Sequence, residues 1–256
     1  MPKKQPSENV LIVGRNPVRE ALEREGARIE KVMMQQGGGR GLSAIRRAAS
    51  EAGVPVQYVP LKRLTQVAAG LNHQGVVALA APLAYHDVDE MLAAIAPDVE
   101  MVKRRKPVLL LLDRIEDPHN FGAMIRTAVA AGAGGIIVPK HHMAPLNAAA
   151  IKASAGTATR IPLARVDHLA EVIHQLKERG YWIVGAAEAG TTSVWDMDWD
   201  RPLVLVMGSE AKGLHPRIAE ACDYLVSIPM RGDAESLNVS VAAGILLFAA
   251  VRSRKE

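Results

Sequence analysis

The 256-residue sequence predicts an α/β protein built from two modules joined by a linker. Three observations carry that reading. Short apolar segments alternate with helix-like segments along a chain that is 49% hydrophobic. Two of those segments, Val108–Leu112 and Leu203–Met207, are apolar without interruption, the pattern of strands buried on both faces of a parallel sheet. The charge also shifts along the chain. Residues 1–80 carry 12 Lys/Arg against 6 Asp/Glu, residues 81–106 carry 4 against 5, and residues 107–256 carry 15 against 16. A basic module ahead of a near-neutral one suggests that the first part meets a polyanion, and a solvated basic surface is the plain alternative.

Each element has a local reason. Residues 1–9 are a polar tail. Val10–Val13 reads as a strand, with Asn16 capping and Pro17 opening a helix to about residue 25. A strand over 29–34 and a glycine-rich loop over 35–41 follow. A helix over 42–52 stops at Gly53, then come a strand over 54–59, a helix over 61–69 and a strand over 75–80. Residues 10–80 thus form a small α/β domain. Residues 81–106 read as a linker holding one helix, 88–96, and closing on Lys103-Arg104-Arg105-Lys106, a run that touches RNA or is simply solvated. In residues 107–256 strands are expected at 108–112, 136–138, 161–166, 182–186, 203–207 and 223–228. Helices are expected at 121–131, 146–154, 169–179 and 237–251. The last is apolar on nearly every side, so it is buried in a core or a subunit interface.

Several function classes drop out. The single cysteine, Cys222, excludes a disulfide scaffold and a Cys-rich zinc site, and fits a reducing compartment. The N-terminal MPKKQPSEN has no apolar signal-peptide region. The longest apolar run, residues 239–251, is shorter than the about 20 residues a membrane span needs. A soluble, cytoplasmic protein with no membrane association is expected. Aromatic residues are 4% of the chain, too few for an RRM-type stacking sheet. Gly132-Ala133-Gly134-Gly135 follows a helix and precedes a strand, the reverse of a dinucleotide fingerprint, and reads as a helix stop and turn. His141-His142 lacks metal-ligand spacing, so no metal is expected.

Three segments are richer. After strand 108–112, Asn120 lies near a helix start and Arg126 sits six residues later among small and apolar neighbours. Such an arginine needs an anion or a carboxylate, with Asp113 or Glu116 as the structural candidates. After strand 203–207, Gly208-Ser209-Glu210-Ala211-Lys212-Gly213 turns at the strand's carboxyl end, where ligands bind in open α/β sheets. The third, Ile228-Pro229-Met230 through Ser236-Leu237-Asn238-Val239-Ser240, enters the last helix. Ser236 is the expected cap there, with Asn238 in the first turn, where free amides favour an anion.

Together, in this order, these segments closely resemble the three motifs of the SpoU (TrmH-type) RNA 2′-O-ribose methyltransferases. Val13-Gly14-Arg15-Asn16-Pro17-Val18-Arg19 and Asn72-His73-Gln74-Gly75 are similar to the substrate-binding domain that precedes the catalytic domain in that family. The resemblance covers about residues 10–253. It implies a ribosomal-protein-like RNA-binding domain at 10–80 and an α/β domain at 107–256 with a C-terminal trefoil knot. It implies S-adenosylmethionine as methyl donor, a homodimer, and 2′-O-methylation of a guanosine ribose in 23S ribosomal RNA. Another transfer or ribosomal RNA target, or a non-catalytic RNA-binding protein, are the competing readings.

The resemblance also implies roles. Gly208, Ile228 and Leu237 would contact the cofactor through their backbones, with Val206 and Met230 nearby. Arg15, Arg19, Asn72, His73 and Gln74 are the RNA-contact candidates. Arg126, Asn120, Glu210, Ser236 and Asn238 form the catalytic set, with Ser236 and Asn238 holding phosphate or ribose and Glu210 orienting Arg126 or Asn120. The family gives Arg126 the task of the base, yet arginine stays protonated in proteins. Either Arg126 is forced neutral in the closed site, or it stays charged, orients the ribose phosphate and stabilises the developing alkoxide while another group or water takes the proton.

Overall fold

The structure, a computed structural model, describes residues 10–25, 29–38, 40–81, 85–233 and 236–252. The expected tail at 1–9 lies outside the described residues. The chain divides into two compact units, residues 1–83 with 146–156, and residues 84–145 with 157–256.

The first unit runs β1 (Val10–Val13), α1 (Arg15–Glu25), β2 (Ile29–Gln35), α2 (Ser43–Glu51), β3 (Val56–Val59), α3 (Leu61–Val67) and β4 (Val76–Ala80). Its sheet has the order β1-β4-β2-β3, in which only the β2–β3 pair is parallel. One face packs Val18 and Leu22 of α1 and Ile45, Ala48 and Ala49 of α2 on Val32, Met34 and Ala78. The other packs Leu64 and Ala68 on Val13, Met33 and Val77. Helix α1 starts at Arg15, so Asn16 is inside it and does not cap it.

The second unit begins inside the expected linker. Helices α4 (Val88–Ile95) and α5 (Val99–Arg105) are capped by Asp87 and Asp98, and bury Met91, Leu92 and Val102 in the core. The basic run ends α5 and is paired at both ends, Lys103 with Glu100 and Lys106 with Asp200 at 2.6 Å. Cations at a helix C-terminus also suit its dipole. The chain continues through β5 (Val108–Leu112), α6 (Pro118–Ala130), β6 (Gly135–Pro139), α7 (Ala148–Ala153), β7 (Leu163–Val166), α8 (Leu169–Glu178), β8 (Trp182–Ala186), β9 (Thr192–Ser193), β10 (Leu203–Met207), α9 (Pro216–Glu220), β11 (Tyr224–Ser227) and α10 (Val239–Val251). Helix α7 groups with the first unit, where Ile151 joins the core. The sheet order is β7-β6-β5-β10-β8-β11-β9, and all six pairings are parallel. Every residue of β5 and β10 is buried, as the uninterrupted apolar runs require. No helix among the described residues is long and apolar enough to cross a membrane.

Candidate active site

The strand order reverses between β5 and β10. From β5 the sheet grows through β6 and β7 on one side, and through β10, β8, β11 and β9 on the other. The carboxyl ends of these parallel strands share one edge, and a reversal point on that edge is where open α/β sheets bind ligands. A cavity of about 540 Å³ opens there, walled by the loops after β8, β10 and β11 and by one side of α10.

The loop after β10 is held tightly. A Cβ on Gly208 would lie 2.2 Å from the carbonyl carbon of Gly213 and 2.4 Å from the amide nitrogen of Leu214, so only glycine fits. The constraint is backbone crowding. Among the glycines of this loop, the positive φ belongs to Gly213, at 62°. Ser209 and Gly213 exchange backbone hydrogen bonds of 3.0 and 2.8 Å, and the Lys212 amide donates to Ser209 Oγ at 3.2 Å.

Asp113, at the end of β5 and 4% exposed, braces the loop from beneath. Its carboxylate accepts from the His215 amide at 2.8 Å and from Arg114 Nε at 3.2 Å, and Arg114 Nη2 reaches Gly213 O at 3.2 Å. Arg114 Nη2 also donates to Asp113 Oδ2 at 3.3 Å, so three donors compensate the burial of that charge. Sequence reasoning offered Asp113 only as a partner for Arg126 and missed Arg114, whose positive φ of 59° carries no mark in the sequence.

Asp117 caps α6 by accepting from the His119 amide at 2.9 Å, and Pro118 opens the helix. This sets Asn120 in the first turn, 8% exposed. Asn120 Nδ2 donates to Glu210 Oε2 at 3.2 Å, and Asn238 Nδ2 donates to Asn120 Oδ1 at 3.0 Å and to Glu210 Oε1 at 3.2 Å. Three residues, from the first turn of α6, the loop after β10 and the cap of α10, close a triangle. Asn238 is also the cap of α10, its Oδ1 accepting from Ser240 N at 2.9 Å and Val241 N at 3.4 Å. The expected cap, Ser236, instead lines the cavity. The cap fixes which end of the Asn238 amide points back into the triangle.

Gly208, Ile228, Met230 and Leu237 line the cavity. Val206 does not. Its side chain is fully buried in the core, and the neighbouring Met207 faces the cavity. Arg126 stands apart. It is exposed, and among the described residues no ion pair or hydrogen bond joins it to Asp113, Glu116 or the triangle.

In the first unit, the turn after α3 uses its own polar atoms. His73 Nδ1 accepts from the Gly75 amide at 3.0 Å, which leaves Nε2 to donate to Thr65 Oγ1 at 3.3 Å. Asn72 Oδ1 accepts from the Gln74 amide at 3.3 Å, and Gln74 Oε1 from the Arg15 amide at 3.1 Å. Arg15 Nε donates to Gln74 O at 3.0 Å, while Arg19 makes a long 3.8 Å pair with Glu23.

Comparison with known proteins decides the family. The SpoU rRNA Methylase family profile matches residues 107–248, and the RNA 2′-O ribose methyltransferase substrate-binding profile matches residues 11–86. The chain belongs to the SpoU rRNA methylase family. A Shewanella oneidensis relative named 23S rRNA (guanosine-2′-O-)-methyltransferase RlmB is 42% identical over 249 residues, 96% of this chain and 98% of that protein. A Bacillus subtilis relative, YacO, carries a TrmH-family tRNA/rRNA methyltransferase name and is 40% identical over 244 residues, 95% of each chain. Among solved structures, the AdoMet-bound rRNA methyltransferase of Sinorhizobium meliloti superposes with a TM-score of 0.78 at 28% identity, covering 97% of this chain and 88% of that one. The SpoU methyltransferase AviRb of Streptomyces viridochromogenes gives 0.77 at 29% identity, covering 96% and 90%.

Proposed function

We propose that the protein transfers a methyl group from S-adenosylmethionine to a guanosine ribose 2′-hydroxyl of 23S ribosomal RNA, in the cytoplasm, as a homodimer. The Asn120–Glu210–Asn238 triangle beside the cavity is the observation that carries the reading. The cofactor fits the residues present. At about 540 Å³ the cavity lies within the range of about 300–1,000 Å³ common for small-molecule sites. Its walls combine apolar Met207, Ile228 and Leu246 with the carboxylates of Glu188 and Glu210, which suit a ligand bearing cationic groups. Backbone groups of the 208–214 loop and of Ile228 and Leu237 would hold it, and once bound it supplies an electrophilic methyl group.

The chain's own residues then have separable tasks. Asn120 is locked by two partners, and the second N–H of its amide has no partner among the described residues, leaving one donor for the nucleotide. Ser236 presents a hydroxyl at the cavity wall for ribose or phosphate. Glu210 orients Asn120. Arg126 serves as a cation that holds phosphate and stabilises the developing alkoxide, while the 2′-hydroxyl proton passes to water or another group as the methyl arrives.

Arg126 does not reach the triangle within its own protomer, which supports a site completed by a second protomer. Helix α10 exposes half of Val241 and Phe248. It packs against α6 at Gly244, where a Cβ would meet Thr127, the neighbour of Arg126. A two-fold partner covering that apolar face would meet the Arg126 segment too. The test is transfer of labelled methyl from S-adenosylmethionine to ribosomal RNA. Arg126→Ala is expected to lose turnover and keep both fold and cofactor binding. A near-normal rate in that variant would overturn the assignment of the site.

A further inference from the structure

The first unit holds a second concavity. It is a groove of about 240 Å³ between the end of β2, the start of α2 and the edge strand β3. That volume falls below the about 300 Å³ at which sites for drug-sized ligands begin, and suits a single flat ring. Met34, 1% exposed, forms the floor, with Leu42 at the side. One wall is the loop after β2. It carries no side chain at Gly38, where a Cβ would lie 2.4 Å from Leu42 Cδ1. Arg46 on α2 stands at the rim, exposed and without an ion pair among the described residues.

Over this groove stands Tyr58, half exposed. Tyr58 is the one aromatic residue in the sequence of the first unit. It pairs in register with Met34 on the parallel neighbour, so both side chains share the face that α2 covers. The helix shelters Met34 and leaves Tyr58 open. A large ring left in water in a unit with no other aromatic to pack against is available for a ligand. No carboxylate lines the groove.

The groove also adjoins the RNA-contact candidates. The Gln35 amide donates to Gly75 O at 2.9 Å, at the Asn72–Gln74 turn. The Arg15 guanidinium lies against Gly41, just before α2.

We infer that this groove takes one unpaired nucleotide of RNA, with the base stacked on Tyr58 above Met34 and the phosphate held by Arg46. Gln35 offers an amide for the base edge. The inference rests on the RNA-binding reading of this unit and adds a subsite to it. Unpaired bases stacking on an aromatic ring beside a cation is a common mode of single-stranded RNA recognition.

Stacking and phosphate contact respond differently to salt, which gives the test. The full-length protein is titrated with a 23S ribosomal RNA transcript across a range of salt concentrations. Losing a base stack costs about 1–3 kcal/mol, so Tyr58→Ala should weaken binding about 5- to 150-fold with the salt slope unchanged. Tyr58→Phe should bind like the wild type. Arg46→Ala should reduce the slope by about 0.7, the contribution of one single-strand phosphate. All three variants should bind S-adenosylmethionine normally. Tyr58→Ala within twofold of the wild type, while Arg15→Ala weakens binding, would overturn the groove and leave the RNA-binding reading standing. A wild-type protein with no salt-dependent RNA affinity would overturn both.

Discussion

Asn238→Asp separates the two tasks of Asn238. Asp is as good a helix cap as Asn, so the bonds from the Ser240 and Val241 amides survive. The donor facing Glu210 does not. A carboxylate oxygen replaces Nδ2 at 3.2 Å from Glu210 Oε1. Like charges at that separation repel by about 1 kcal/mol in a water-like medium and about 5 kcal/mol at an effective dielectric of about 20. Both residues are exposed, so the lower figure applies. With the lost hydrogen bond, stability should fall by about 1–2 kcal/mol, and Tm by a few degrees. Turnover should fall by about 100-fold, because Asn120 loses the group that fixes its carbonyl end. The paired carboxylates should also share a proton at lower pH, restoring a donor, so activity relative to the wild type should rise as pH falls. Asn238→Ala exchanges that repulsion for loss of the cap, also about 1 kcal/mol, so its stability should fall by a similar amount. Thermal melts and single-turnover methyl transfer measure both quantities. Turnover of Asn238→Asp within twofold of the wild type would refute the triangle as a positioning device.

Three further outcomes follow from the same geometry. Gly208→Ala places a methyl group 2.2 Å from the Gly213 carbonyl carbon, so calorimetry should show S-adenosylmethionine binding weakened by more than about tenfold; unchanged affinity contradicts the crowding argument. Phe248→Glu charges the exposed α10 face, and sedimentation should find monomers that no longer transfer methyl; a fully active monomer contradicts the shared site. The buried Tyr181 hydroxyl has no partner among the described residues, so Tyr181→Phe should gain about 1 kcal/mol of stability. Burial pushes that hydroxyl up to about 12 from its ordinary 10.0. Between those values the unfolded chain has shed a proton that the folded chain keeps, so wild-type stability should fall as pH rises through the window and Tyr181→Phe should fall less. Equal alkaline profiles would contradict it.

The α/β class was legible because its signals are local. Continuous apolar runs named β5 and β10, and motif spacing brought Asn120, Glu210 and Asn238 into view before any geometry. What the sequence hid depends on direction or on distant contacts. An uninterrupted apolar strand has no alternation to say which residue faces a ligand, so Val206 was expected where Met207 stands. Ser236 and Asn238 are equally good caps two residues apart, and only the backbone chooses between them. Helix α5 is short and heavily charged, and its apolar anchor Val102 shows only against the core. Six residues along a helix turn about 240°, so Asn120 and Arg126 leave α6 on different sides, a consequence of spacing that family resemblance obscured. The grouping of α7 with the first unit is non-local by nature and leaves no periodic trace.

The central claim is methylation of a ribose in 23S ribosomal RNA. Methylation of a 2′-hydroxyl removes the nucleophile that cleaves the adjacent phosphodiester in alkali. Alkaline-cleavage mapping of 23S ribosomal RNA from a strain lacking this protein tests the claim directly, with the wild-type chain and Arg126→Ala supplied back in parallel. The account predicts one guanosine that resists alkali in the parent, becomes sensitive in the deletion strain, and regains resistance with the wild-type chain only. An unchanged 23S pattern, or a lost methyl group in transfer RNA instead, would contradict it.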